Sequence, residues 1–98
     1  MDIGFLYQGQ RFVWDSGKAS SNASKHGIAF ETACEIFFDP FICLEDASVL
    51  GEEREAAIGL TEDWRLLFVV HLVREEDAIR ILSARNATAH ERSRYESE

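Results

Sequence analysis

Apolar residues recur with two periods along this chain, and each change of period marks an element. Phe12, Val13 and Trp14 form a short apolar run ending at Asp15, which predicts a first strand over residues 10–14. Asp15 is a residue type that caps helices by accepting from an orphan backbone N–H, and Gly27 supplies the left-handed conformation that ends them. The helix predicted between them, over 15–25, carries Lys18, Asn22 and Lys25 on its polar face at i, i+4 and i+7. Ala19 and Ala23 share the face expected to pack on a sheet, and the serines make the helix dependent on that packing. Phe30, Ala33, Ile36 and Phe37 predict a second helix over 30–38, stopped by Asp39-Pro40. Ala29 stands where a capping serine or threonine is expected, an absence worth about 1 kcal/mol.

Strand patterns follow over 41–45 and over 54–61, with Gly59 as a candidate bulge and a polar loop at 46–53 between them. Residues 65–74 are nearly continuous apolar and read as a central strand covered on both faces. Glu75-Glu76 turns the chain into a last strand over 77–85. A two-residue turn there sets Val73 opposite Ala78, His71 opposite Arg80 and Val69 opposite Leu82. Leu66, Phe68, Val70, Leu72, Ile79 and Ile81 are then expected to receive the helices. Thr88 and Glu91 form a capping box that opens a final helix with little apolar face of its own. Residues 1–9 either extend the first strand or lie over an edge. The expected fold is α+β: one domain over 1–98, with 1–9 as an N-terminal extension. It has a small antiparallel sheet, two N-terminal helices packed on one face, and a C-terminal helix.

Seven phenylalanines and two tryptophans in 98 residues suffice for a real core, so global disorder is excluded. No apolar run is long enough to span a membrane, and no basic segment opens a signal peptide. A cytoplasmic protein with Cys34 and Cys43 as reduced buried thiols is expected. The net charge of −8 argues against a general nucleic-acid binder. The charge is uneven, however: residues 27–64 hold ten acids against Arg54 alone, whereas 1–26 are net +1 and 65–98 neutral. The arginines outside the acidic middle, with Lys25 and His26, remain able to form a basic cleft.

One stretch reads Phe12-x-Trp14-Asp15-x-x-Lys18-Ala19-x-x-Asn22-x-x-Lys25-His26-Gly27-Ile28-x-Phe30-Glu31-x-Ala33. Phe38-Asp39-Pro40, Glu53-Arg54 and Ile58-Gly59 follow. A closing block runs Arg80-Ile81-Leu82-Ser83-Ala84-Arg85-x-Ala87-Thr88-x-x-Glu91-Arg92, with Tyr95 beyond it. Together these resemble the BrnT family of bacterial ribonuclease toxins. The resemblance covers residues 12–95, and departs in the first ten residues, at Ala29 and in the acidity. It implies a RelE-like fold and RNA cleavage that arrests translation. It also implies neutralisation by a cognate antitoxin, expected to be of ribbon-helix-helix type, that binds DNA and lets the pair repress its operon. Contact with DNA would then be indirect, and no membrane is involved.

Cleaving RNA with no metal or other cofactor requires a base for the 2′-OH, cations for the crowded phosphate and an acid for the leaving 5′ oxygen, help worth about 10²–10⁴-fold. Lys25 and His26 suit these roles, since imidazole titrates near neutrality. Arg80 and Arg85 complete the candidate catalytic set because guanidinium grips phosphate with two parallel bonds. Lys18, Arg54, Arg74 and His71 are candidates for holding RNA. Plainer roles stand beside these: His26 as a helix C-cap, Lys18 and Lys25 as a solvated face, His71 as a satisfied core histidine, Arg85 as a tie from its strand to helix one or two. The alternative function is a non-catalytic binding module that acts only with the antitoxin, as a co-regulator of its operon.

Overall fold

The computed structural model describes residues 1–72 and 77–97. The opening nine residues prove to be a strand: β1 (Asp2–Tyr7) turns at Gln8-Gly9 into β2 (Gln10–Asp15). Both turn residues have positive φ, 50° and 84°, as in the two-residue turns whose twist matches antiparallel strands. Pairing sets Ile3 opposite Trp14 and Phe5 opposite Phe12. Phe5, Phe12 and Trp14 therefore share one face, and Phe12 and Trp14 are buried there.

The hairpin joins β3 (Cys43–Asp46), β4 (Arg54–Leu60), β5 (Leu66–Leu72) and β6 (Ala78–Asn86) in one six-stranded sheet, ordered β1-β2-β6-β5-β4-β3. The sheet is mixed rather than antiparallel throughout: β2 and β6 run parallel. These two strands share no turn, so nothing local imposes the antiparallel arrangement. α1 (Ser16–His26), α2 (Phe30–Ala33) and a 3₁₀ segment (Cys34–Phe38) cover one face, and α3 (Ala89–Glu96) lies on the other.

The second predicted helix is thus one α-helical turn continued as 3₁₀. Ala29 contributes no side-chain cap. The 3₁₀ segment presses onto β4, where a Cβ on Gly59 would meet Ile36 Cβ at 3.0 Å and its carbonyl oxygen at 3.1 Å. Gly59 is a point of close approach and not a bulge, for it pairs in register with Leu67.

The bulge falls elsewhere. His71 stands opposite Ile81, Leu72 opposite Arg80 and Val69 opposite Ala84, with the register shifting between Val70 and His71. Leu82 is the extra residue on β6, and the expected pairing of His71 with Arg80 is one position out. A slip of one reverses the faces of a strand. Leu67 and Val69, not Leu66 and Phe68, join Phe12, Trp14, Phe30, Ile36 and Ile81 under the helices. Leu66 packs on the opposite side with Ile58 and Cys43, backed by Phe68 and Tyr95. Each large apolar side chain buried in these layers contributes about 1.5–3 kcal/mol. Val73, Arg74 and the Glu75-Glu76 turn lie outside the described residues.

α3 opens with the expected capping box. It docks mainly through polar groups: Arg94 forks Glu45 with two bonds of 2.9 Å, and the Tyr95 hydroxyl donates to Asp39 Oδ2 at 2.5 Å. The same oxygen accepts from the Leu60 N–H at 2.8 Å, tying helix, sheet and the Asp39-Pro40 stop together. Burial, and then the bond to Asp39, push the Tyr95 hydroxyl up to about 12, so it remains a donor. Both cysteines are buried, and burial pushes the Cys34 thiol up to about 12. Among the described residues no helix is long and apolar enough to cross a membrane.

Candidate active site

α1 is fixed at both ends as its sequence predicts. Asp15 Oδ2 accepts from the Lys18 N–H at 3.0 Å, and the Gly27 N–H, at φ 73°, donates to the Ala23 carbonyl at 2.8 Å. The inward face differs from the expected one. Ala23 is exposed, and Ala19 and Asn22 turn to the core instead. Asn22 is 7% exposed and makes three bonds: Nδ2 donates to the Ile28 carbonyl at 3.0 Å and the Ala84 carbonyl at 2.9 Å, and Oδ1 accepts from the Ala84 N–H at 3.0 Å. β2 pairs with β6 only at residues 78–80 of the latter. Past that point Asn22 takes the place of a neighbouring strand, giving Ala84 the two bonds a ladder would supply.

This clamp holds the last turn of α1 against β6 and leaves a hollow of about 210 Å³. It is lined by Lys18, Ser21, Asn22, Lys25 and His26 from the helix and by Leu82 and Ser83 from the bulge. Two ammonium groups and an imidazole thus line one hollow, and among the described residues its lining contains no carboxylate. The helix dipole favours cations at this end. Gly27 closes the last turn with its own N–H, and among the described residues the His26 ring makes no hydrogen bond, so the C-cap role is not the one it plays.

The two arginines are placed differently. Ile79 and Ile81 face the helices, so Arg80 leaves β6 on the opposite side. There it forks Asp2 of β1, with bonds of 2.6 and 3.3 Å. Arg85 likewise points away from α1. It lies 4.3 Å over the Phe68 ring and forks Glu91 with two bonds of 2.8 Å, joining β6 to α3 rather than to helix one or two. Glu91 is 7% exposed and also accepts from the Thr88 N–H. The Arg85 guanidinium holds its carboxyl below the usual glutamate range, against the opposing effect of burial. Neither arginine lines the hollow.

Of the candidate RNA contacts, Lys18 faces the hollow. His71 is a core histidine: its ring stands edge-on to Phe37 at 4.9 Å, and Nε2 meets Glu55 Oε1 at 3.0 Å. Arg54 pairs with Glu52 at 2.5 Å and lines a separate hollow with Glu45, Asp46, Glu53 and Glu55, where phosphate would be repelled. Arg74 lies outside the described residues. Sequence reasoning missed the Asn22 clamp, the Leu82-Ser83 floor and Glu91 as the partner of Arg85. Only Glu91 carried a signal, as the third residue of the capping box. Among the described residues no three His, Cys, Asp or Glu side chains converge as a metal would require.

The chain matches the model of the ribonuclease toxin BrnT of type II toxin–antitoxin systems over residues 14–91. It belongs to the BrnT family. The crystal structure of the Brucella abortus ribonuclease toxin BrnT, at 1.1 Å, superposes with a TM-score of 0.53 at 22% identity, covering 76% of this chain and 92% of that one. The two proteins share a fold. No curated protein sequence matches the chain. The span that matches the BrnT family includes all of α1, the floor of the hollow, Arg80, Arg85 and Glu91, and leaves β1 outside. Asp2, which pairs with Arg80, therefore comes from outside the part that defines the family. As a member of a type II toxin family, the chain is expected to have an antitoxin partner.

Proposed function

We propose that this BrnT-family chain is a metal-independent endoribonuclease that arrests translation in the cytoplasm. It is neutralised by a cognate, DNA-binding antitoxin of ribbon-helix-helix type. The observation that carries this reading is the hollow that Lys18, Lys25 and His26 line at the end of α1, with no carboxylate among its described residues. In the proposed reaction His26 takes the 2′-OH proton and the 2′ oxygen attacks phosphorus. The P–O5′ bond breaks as the Lys25 ammonium gives a proton to the leaving oxygen, yielding a 2′,3′-cyclic phosphate and a 5′-hydroxyl. Lys18 holds the adjoining phosphate.

Arg80 and Arg85 enter only by exchanging a carboxylate for RNA phosphate. For Arg80 the exchange is easy, because Asp2 is 56% exposed. Glu91 is buried, which makes Arg85 a positioning residue for the strand beneath the hollow. Purified protein incubated with single-stranded RNA and a chelator tests the chemistry: cleavage leaving cyclic phosphate ends is expected, and intact RNA refutes it. The ion pairs holding both arginines favour the second reading, a non-catalytic partner of the antitoxin that acts as a co-regulator. Intact RNA combined with operator binding by the complex would establish that reading.

A further inference from the structure

A second concavity shares none of its described lining residues with the hollow. The 3₁₀ segment, the β1–β2 turn and the β4–β5 turn enclose a groove of about 430 Å³. Its walls are aromatic: Trp64, Phe41 and Phe38 are 80%, 70% and 40% exposed, and Phe38 stands edge-on to Tyr7 at 5.4 Å. Its rim is acidic, with Glu35 and Glu62 among the lining residues. Hydrogen bonds link the rim: the Tyr7 hydroxyl donates to Glu62, and Glu35 Oε1 accepts from the Glu62 N–H at 2.9 Å.

Trp64 combines an exposed ring with a positive φ. In the β4–β5 turn the Trp64 N–H donates to the Thr61 carbonyl at 3.1 Å and the Thr61 N–H to the Arg65 carbonyl at 2.9 Å, with Trp64 itself at φ 68°. Glycine or asparagine suits that conformation; a bulky residue is strained there. Its ring returns almost no burial. Exposed aromatic rings gathered in one concavity mark an interaction surface, and carboxylates beside ring faces select a cation.

We propose that this groove docks an arginine-bearing segment of the antitoxin, the guanidinium lying against Trp64 and paired with Glu35 and Glu62. The proposal rests on the toxin reading above for the identity of its partner. Charge complementarity supports it: Glu35 and Glu62 line the groove and residues 27–64 of this chain are net −9, a surface that suits a cationic segment. The groove and the catalytic hollow share no lining residue. Neutralisation and cleavage should therefore separate by mutation.

Trp14 is 2% exposed, so fluorescence changes on peptide binding report Trp64. Titration with a short capped peptide alternating arginine and leucine should shift that emission saturably. Added salt should weaken binding, and the Glu35→Gln, Glu62→Gln double variant should weaken it by about tenfold. No shift, or an equal shift from the peptide with glutamate in place of arginine, overturns the proposal. In cells, Trp64→Ala protein should still cleave RNA yet escape neutralisation by the product of the adjoining reading frame; full neutralisation also overturns it. Absence of cleavage by the wild-type chain would refute the toxin reading alone, because the peptide titration still decides the groove.

Discussion

Replacing Asn22 by alanine should cost more stability than any other substitution of a polar residue on α1. The side chain makes three hydrogen bonds, two of them to the backbone of Ala84, which is 0% exposed, and one to the carbonyl of Ile28, which is 2% exposed. Each bond contributes about 1 kcal/mol net, and a stranded buried group costs about 1–3 kcal/mol. Three groups are stranded at once, which places the loss at roughly 3–5 kcal/mol, a large part of the roughly 5–15 kcal/mol typical of a domain. Asn22→Asp keeps the acceptor for the Ala84 N–H but turns two carbonyls toward a carboxylate. Its carboxyl should titrate above the usual range when folded, so the variant should be weakest at neutral pH and recover on acidification, when the protonated group donates again. Urea unfolding followed by circular dichroism measures both, with an unchanged m-value as the control. A loss below about 1 kcal/mol for Asn22→Ala would show that water replaces the clamp, and the reasoning fails.

Three other outcomes follow from the contacts. Gly59→Ala should destabilise by about 1–3 kcal/mol in urea unfolding, because its Cβ meets the Ile36 backbone at 3.1 Å. Glu91→Gln should lose about 1–3 kcal/mol at neutral pH by weakening the fork from Arg85. The carboxyl is depressed in the folded state, so its stabilisation is complete above the usual glutamate range and lost as pH falls through the lowered value; the gap between wild type and variant should close on acidification in thermal unfolding. Asp2→Asn should leave stability unchanged and tighten RNA binding a few-fold in filter binding, by releasing Arg80.

What was legible in the sequence is what local chemistry decides. Asp15 and Gly27 bound α1, Thr88 and Glu91 open α3, and Asp39-Pro40 ends the second helical stretch, because caps and stops act over a few residues. For residues 1–9 the sequence leaves open an extension of the first strand or a cover over an edge, because the turn carries glutamine where asparagine would announce a hairpin. Long-range relations were hidden. No local feature signalled the parallel β2–β6 junction, the extra residue at Leu82, or the one-position slip on the turn side of it that sets His71 opposite Ile81 and exchanges the faces of β5. Asn22 read as part of a solvated stripe because its partners lie 6 and 62 residues away. In the candidate site, Lys18, Lys25 and His26 were found because one helix presents them together. Arg80 and Arg85 were drawn to the same pocket by their charge, and their carboxylate partners come from β1 and α3.

The account depends most on chemistry at the last turn of α1. Single-turnover cleavage of one RNA by wild type and by the Lys25→Ala, His26→Ala variant, with chelator present and folding checked by circular dichroism, tests it directly. The predicted result is a loss of about 10²–10⁴-fold in rate. Undiminished cleavage by the folded variant would contradict it.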